Sequence, residues 1–438
     1  MKRAIYFLTL ALSFAVNTFG QINFDWAKSM GGTSYDQANA ITTDAQGNVY
    51  TTGNFYGTPD FDPGPSTYTL GSLGGIFISK LDANGNFVWA KDINGAIHNT
   101  GLSIAVDAAG NVYTTGHFKS TSDFDPGAGT FTIATLGDAD IFISKLDASG
   151  NFIWAKSIGG AGIDEGNDID VDASGDVFIA GYYSGVVDFD PGVGSFNLTS
   201  AGNYDAFVFS LNAAGNFMWA KSFGGTGYDI ATSIKLDALG NIHTTGSFET
   251  TSDFDPNIAV FNLISAGGYD IFILKLNPSG NLIWAKGIGG TSYENTSAIA
   301  LDVSGNIYTT GNFQLAAIDF DPGPGVFIVN PGVGYDVFIS KLDAAGNFVW
   351  AKAFNGPGNE LGMSIATDNA GGVYTTGNFT GTLDLDPGVG TYTITALAND
   401  DVFISKLDAV EILYGLNQLK EQVIIMVQEF VLMLWEMY

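Results

Sequence analysis

Strand-length apolar runs recur along nearly the whole chain, and each is closed by a cluster of Gly, Asn, Asp or Pro. Within Gly101–Gly159, Ser103–Asp107 is a short apolar run ended by Asp107-Ala108-Ala109-Gly110-Asn111. Its Gly and Asn suit the positive φ of a tight hairpin. Val112–Phe118 is rich in β-branched and aromatic residues and reads as a second strand. A longer connection carrying Asp123-Phe124-Asp125-Pro126-Gly127 leads to a third strand, Ile141–Leu146. The tight turn Asp147-Ala148-Ser149-Gly150-Asn151 then opens a fourth, Phe152–Ile158, in which Phe152, Trp154 and Lys156 alternate with Ile153, Ala155 and Ser157. A sheet carries apolar residues on both faces when neighbours cover both of them.

This unit repeats. Gly-Asn-Phe-x-Trp-Ala-Lys stands at Gly85–Lys91, Gly150–Lys156, Gly215–Lys221 and Gly346–Lys352, with Leu for Phe at Gly280–Lys286 and a shortened first copy at Asp25–Lys28. The tryptophans Trp26, Trp89, Trp154, Trp219, Trp284 and Trp350 are separated by 63, 65, 65, 65 and 66 residues. Four antiparallel strands per period predict an all-β fold, a β-propeller of four-stranded blades. A right-handed β-helix would need shorter, more uniform coils and longer parallel strands. The chain starts with a lone fourth strand, Asn23–Met30, has five complete units, and ends with three strands between Met363 and Asp408. These leftovers sum to a sixth blade, and pairing the N-terminal strand with the last three is the expected closure.

The run Ser103-Ile104-Ala105-Val106-Asp107-Ala108-Ala109-Gly110-Asn111-Val112-Tyr113, with Gly-Gly and Trp-Ala-Lys before it, resembles the SBBP-type β-propeller repeat of secreted bacterial proteins. The resemblance runs from about Asn23 to Asp408. It implies a seven-bladed propeller on exported or cell-surface proteins, so an incomplete seven-bladed ring is the alternative to six blades. It brings no catalytic motif.

The two ends read differently. Lys2 and Arg3, the apolar run Ala4–Val16 and small residues at Thr18 and Gly20 have the layout of a secretory signal peptide over residues 1–20. The propeller then occupies 21–408, and 409–438 is a tail outside the repeat. When each codon's third base is read with the next codon's first two, Val410–Asn417 can encode Gly-Asn-Phe-Ile-Trp-Ala-Lys, so the tail is expected to be a frameshift product. An amphipathic C-terminal helix with Leu416, Leu419 and Val423 on one side is the alternative.

Charge and composition narrow the partners. The formal net charge is −29 and Arg3 is the only arginine, the wrong balance for neutralising nucleic-acid phosphates. No cysteine is present, so neither a disulfide framework nor a lipid-attachment cysteine exists. The Ala4–Val16 run is too short to span a membrane. The expected product is a secreted or cell-surface protein that binds a protein or glycan partner, with no nucleic acid and no membrane span in the mature chain.

In an up-and-down blade the tight Asp-x-x-Gly-Asn turns share one face and the long connections share the other, where a ligand should be sought. Ten residues after each repeat Trp stand Asp36, Asn99, Asp164, Asp229, Glu294 and Glu360, with Tyr35, Tyr228 and Tyr293 beside three of them. Such a ring at the channel mouth could hold a cation, or bind sugar hydroxyls beside aromatic platforms. The plainer role is capping of each loop's own backbone. A second set pairs Asp60 with Asp62, Asp123 with Asp125, Asp188 with Asp190, Asp253 with Asp255, Asp319 with Asp321 and Asp384 with Asp386, followed by Pro-Gly in five of the six copies. Acids two apart resemble half of a Ca²⁺ loop, while turn chemistry alone also explains Asp-Pro-Gly.

For catalysis there is no cysteine nucleophile, no Gly-x-Ser-x-Gly elbow and no phosphate loop. His117 and His243 read as packing residues at second-strand places held elsewhere by Asn54 or Asn312, and His98 stands apart. The expected function is a binding or display scaffold using its acidic long-loop face. The rival is a carbohydrate-active enzyme, a glycosidase or lyase, using asymmetric acids such as Asp164 and Glu165.

Overall fold

The computed structural model describes residues 25–95, 99–397 and 400–408. The expected signal peptide, the tail and His98 lie outside them. Among the described residues every regular element is a strand, and the chain forms a six-bladed β-propeller. The second blade is typical, with strands Thr100–Val106, Val112–Phe118, Asp140–Leu146 and Phe152–Ile158 paired antiparallel in chain order. The innermost strands of successive blades pack side by side, from Asp36–Thr43 in the first blade to Glu360–Thr367 in the sixth.

Apolar residues on both faces of each sheet meet their neighbours in continuous cores. Ile141, Ile143 and Tyr113 of the second blade pack with Ile169, Ile179 and Phe207 of the third, and the other junctions repeat this. The long connection contributes as well. Phe124 of Asp123-Phe124-Asp125 is fully buried between Phe118 and Phe142, with ring centroids 5.2 and 5.5 Å away. Aromatic packing therefore explains the middle residue of the Asp-x-Asp motif.

The Gly-Asn-Phe-x-Trp-Ala-Lys heptad is a junction between blades. Gly150 has φ of +77°, as its tight turn requires, and a Cβ there would stand 3.1 Å from the ring of Trp89 in the preceding blade. Only Gly meets both demands. Trp89 Nε1 in turn donates to Ala148 O at 3.3 Å, and Trp154 Nε1 to Ala213 O at 3.3 Å. The third-strand lysine of most blades lies over the tyrosine of the second strand, as Lys145 does 4.7 Å from the Tyr113 ring centroid.

Two expectations need correction. Residues 25–30 take no place in a ladder, and the sixth blade has three strands among the described residues, Glu360–Thr367, Val373–Phe379 and Asp401–Leu407. Trp26 Nε1 instead donates to Ala83 O at 3.0 Å, and its ring lies against Gly85. Its place beside the first blade is that of Trp89 beside the second, because the Gly85 turn accepts a Trp only from the blade before it. His243 stands opposite Lys235 at the place of Tyr113, which faces Ala105. Only His117 matches Asn54.

Candidate functional site

The acids ten residues after each Trp begin the innermost strands, at the rim of the channel on the long-loop face. They are turned inward. Asp164, Asp229, Glu294, Glu360 and Asn99 are buried; the four acids are engaged by their own inter-blade loop, and Asn99, Asp164 and Asp229 by the long connection of the same blade. Asp164 accepts Gly160 N at 2.7 Å and Ser184 N at 3.1 Å. Asp229 accepts Gly225 N at 2.8 Å and Ser252 Oγ at 2.6 Å. Glu294 accepts Gly290 N at 3.0 Å, Glu360 accepts Gly358 N at 3.2 Å, and Asn99 accepts Lys119 N at 3.0 Å. Half-buried Asp36 accepts Gly32 N at 2.7 Å. These bonds match the capping role.

A second carboxylate, absent from the sequence reading, opens each third strand from the second blade onward. Asp140, Asp205, Asp270 and Asp336 lie close enough to Asp164, Asp229, Glu294 and Glu360 to raise their pKa values. A Cβ at Gly224 would stand 2.8 Å from the Asp205 carboxyl carbon and 2.9 Å from Asp229 Oδ2, so the two acids converge on one glycine. Burial is the main cause of the upward shifts, to about 6 for Asp164, about 7 for Asp229 and Glu294, and about 8 for Glu360. Asp140, Asp270, Glu294 and Glu360 each keep one buried oxygen without a hydrogen-bond partner. The first junction replaces the pair by Gly75 and Asn99. An acid recurring at the start of every third strand but the first was the available signal.

The Asp-x-Asp carboxylates, read from sequence as half of a Ca²⁺ loop, are spent on their own turns. Asp60 Oδ1 accepts Asp62 N at 3.0 Å and Tyr68 N at 2.8 Å. The first acids of the other copies, Asp123, Asp188, Asp253, Asp319 and Asp384, accept the same two amides. The second acids cap the residue two places on. Asp62 accepts Gly64 N, Asp125 accepts Gly127 N and Asp190 accepts Gly192 N, each at 2.8 Å. Asp255 accepts Asn257 N at 2.9 Å, while Asp321 accepts Gly323 N and Asp386 accepts Gly388 N, both at 2.8 Å. Turn chemistry therefore accounts for Asp190, Asp255, Asp321 and Asp386 as it does for Asp62 and Asp125. Among the described residues no group of three His, Cys, Asp or Glu side chains is placed to hold a metal ion.

The long-loop face exposes tyrosine beside aliphatic residues such as Val193, Ile258 and Val389. Tyr228 and Tyr293 are 36% and 48% exposed, and Tyr35 is 57% exposed on the first blade. On the third to fifth blades a row forms: Tyr182 to Tyr204 at 4.8 Å between ring centroids, Tyr204 to Tyr228 at 5.2 Å, and Tyr269 to Tyr293 at 6.0 Å. Glu249 lies beside it, accepting Tyr228 N at 3.2 Å. Tyr182, Tyr204 and Tyr269 escaped the sequence reading because the blades that carry them differ from those that do not.

One cluster breaks the blade symmetry. Glu165 Oε2 accepts the Tyr182 hydroxyl at 2.9 Å and lies 3.3 Å from His117 Nδ1. Burial opposes its ionisation, but the contacts with His117 and Tyr182 hold its pKa below the usual value, so it stands as a carboxylate. Glu165 also lines the channel, a cavity of about 560 Å³ whose wall includes Asp168, Ser233 and Lys235. Asp168 accepts Ser103 Oγ at 2.7 Å, Ser233 Oγ at 2.8 Å and Ile234 N at 2.7 Å, joining the second, third and fourth blades. Desolvation of half-buried Asp170 raises its pKa against the pull of Lys235.

No family profile matches the chain. It is 24% identical over 432 aligned residues to an uncharacterized WD repeat-containing protein of Acanthamoeba polyphaga mimivirus, spanning 81% of this chain and 31% of that protein. It is 25% identical over 255 residues to the regulatory protein FlaEY of Caulobacter vibrioides, spanning 57% of this chain and 26% of that one. The chain thus spans about a third or less of these relatives. Among solved structures it is similar to a DUF4221 family protein from Bacteroides vulgatus, with TM-score 0.35, 9% identity, and coverage of 80% of this chain and 91% of that one. For polysaccharide lyase Uly1 the values are 0.37, 10%, 86% and 88%. The chain is a β-propeller repeat protein.

Proposed function

We propose that this propeller is an exported binding scaffold that engages a protein or glycan through its long-loop face, over the third to fifth blades. The observation that carries the proposal is the tyrosine row. The acids beneath it hold the loops, leaving Tyr228 and Tyr293 with faces open to solvent, and tyrosine offers a flat apolar face with a hydroxyl at its tip. Strong negative charge disfavours anionic partners and favours neutral or cationic ones. A screen of glycans and surface proteins tests this, with Tyr228→Ala and Tyr293→Ala expected to weaken any hit at least tenfold without lowering the melting temperature. Hits that are indifferent to both substitutions sink the proposal.

Glu165, His117 and Tyr182 favour a second reading, a carbohydrate-active enzyme. An acid held ionised beside an imidazole and a phenol at a channel mouth could take a proton from a sugar. Asp164, its sequence neighbour, is committed to loop backbone. Product analysis with a polysaccharide panel separates the readings: turnover abolished by Glu165→Gln replaces the scaffold with an enzyme.

A further inference from the structure

We propose that the cavity between the fourth blade and the long connection of the fifth is a binding site for an alkylammonium group, an ammonium carried on an apolar stem. The cavity holds about 410 Å³ and is bounded by Phe248, Leu263 and Gly287 of the fourth blade and by Asp319, Asp321 and Pro322 of the fifth. A volume of this size suits a small ligand. None of these residues belongs to the tyrosine row or to the channel wall, so the site stands apart from both.

A missing side chain opens it. In the second and third blades the fourth strand carries Ser157 and Ser222, whose hydroxyls meet the acid of the third strand. Ser157 hydrogen-bonds Asp140, and Ser222 Oγ donates to Asp205 Oδ2 at 3.3 Å. The same place in the fourth blade is Gly287. No turn demands a glycine there, since it lies inside the strand Leu282–Ile288. A Cβ would stand 3.6 Å from Phe248 and 3.7 Å from Leu263, ordinary contact distances, and the fifth blade accommodates Ala353 at this position. A strand-interior glycine with no conformational reason marks a place where something approaches closely.

Asp270 supplies the anchor. It lines the cavity at 4% exposure; its Oδ2 accepts Ala266 N at 3.1 Å, while Oδ1 is buried without a hydrogen-bond partner. Asp140 keeps such an oxygen too, but the Ser157 side chain stands beside it, where Gly287 leaves the place open. A buried carboxylate oxygen of this kind calls for a donor, and charge selects an ammonium over a hydroxyl. Asp270, Asp319 and Asp321 line the cavity against Lys286, and Glu294 lies close to Asp270. The backbone amides that Asp319 and Asp321 accept leave their negative charge in place. Burial pushes Asp270 up to about 6, which an ammonium docked on it would reverse. Phe248 and Leu263, with the more exposed Phe261 and Ile264, form the apolar wall along which the stem would lie.

Calorimetric titration of the full chain with pentylamine hydrochloride tests the site, with 1-pentanol as the neutral probe. The amine should bind saturably and 1-pentanol about tenfold more weakly or worse. Asp270→Asn removes the charge, and Gly287→Ser restores the hydroxyl of the second and third blades; each should weaken the amine about tenfold or more. Gly287→Ser should melt no lower than the native chain, which separates lost binding from lost folding. An end-blocked pentapeptide with one central lysine distinguishes two sources of the group: binding as tight as that of pentylamine assigns it to a partner protein's side chain, and binding of the free amine alone assigns it to a small amine. No saturable binding of the amine, binding unchanged in both variants, or 1-pentanol bound as tightly as the amine overturns the proposal.

Discussion

The acid pairs between blades predict that stability falls as pH rises through neutrality, and Glu294 isolates the effect. Its folded pKa of about 7 exceeds the ordinary 4.5, mainly through burial and then through Asp270. Between those values the folded chain keeps a proton that the unfolded chain has released, so this stabilisation is full below about 4.5 and lost as pH rises through 7. At about 1.4 kcal/mol per pKa unit, the shift is worth about 3 kcal/mol. Asp164, Asp229 and Glu360 act in the same direction. The tight-turn acids act in a lower window. Hydrogen bonds from Asn111 and Tyr113 leave Asp107 below its usual value despite burial, so its contribution is lost only in stronger acid. Urea unfolding at pH 5 and pH 8 measures the difference. The native chain should lose several kcal/mol between them, and Glu294→Gln, which cannot ionise, should lose about 3 kcal/mol less. An unchanged pH slope in Glu294→Gln would refute the account.

Three further outcomes follow from the same structure. Asp168→Ala strands the Ser103 and Ser233 hydroxyls and the Ile234 amide, and should cost about 3–5 kcal/mol in urea unfolding; a loss under about 1 kcal/mol would mean that the channel bonds do not fasten the blades. Gly150→Ala meets both a φ of +77° and the Trp89 ring, so a cost of about 1–3 kcal/mol is expected, and a stabilised variant would contradict the reading of the heptad. For the Asp-x-Asp loops, whose carboxylates already accept backbone amides, melting in Ca²⁺ and in chelator should coincide; a rise in Ca²⁺ would make them metal sites.

The fold was legible because its causes are local and repeated. Positive-φ glycines, apolar alternation and the Trp period each recur in register, so blade and strand order could be read without knowing any contact. Closure could not. Counting strands made Asn23–Met30 complementary to the last three, but the decision rests on where Trp26 docks, and that depends on which blade carries Gly85. The buried acids show the opposite limit: sequence placed Asp229 at the rim, while only packing reveals Asp205 beside it and Ser252 upon it.

Residues that depart from the repeat are where function would reside, and several depart together. In the third blade Phe178 and Ser210 replace the Tyr and Lys that meet at Tyr113 and Lys145, so a cation–π contact disappears as a unit. In the fourth blade His243 replaces that Tyr, and Lys275 turns to Asp237 at 3.2 Å. Such paired changes keep a blade packed and explain themselves. Glu165, His117 and Tyr182 have no such account, since the other described junctions close without them. Half-buried Glu165 is kept ionised by two neighbours, while burial pushes the pKa values of the loop-capping acids up. Of the acids described, Glu165 is accordingly the one whose removal tests the enzyme reading.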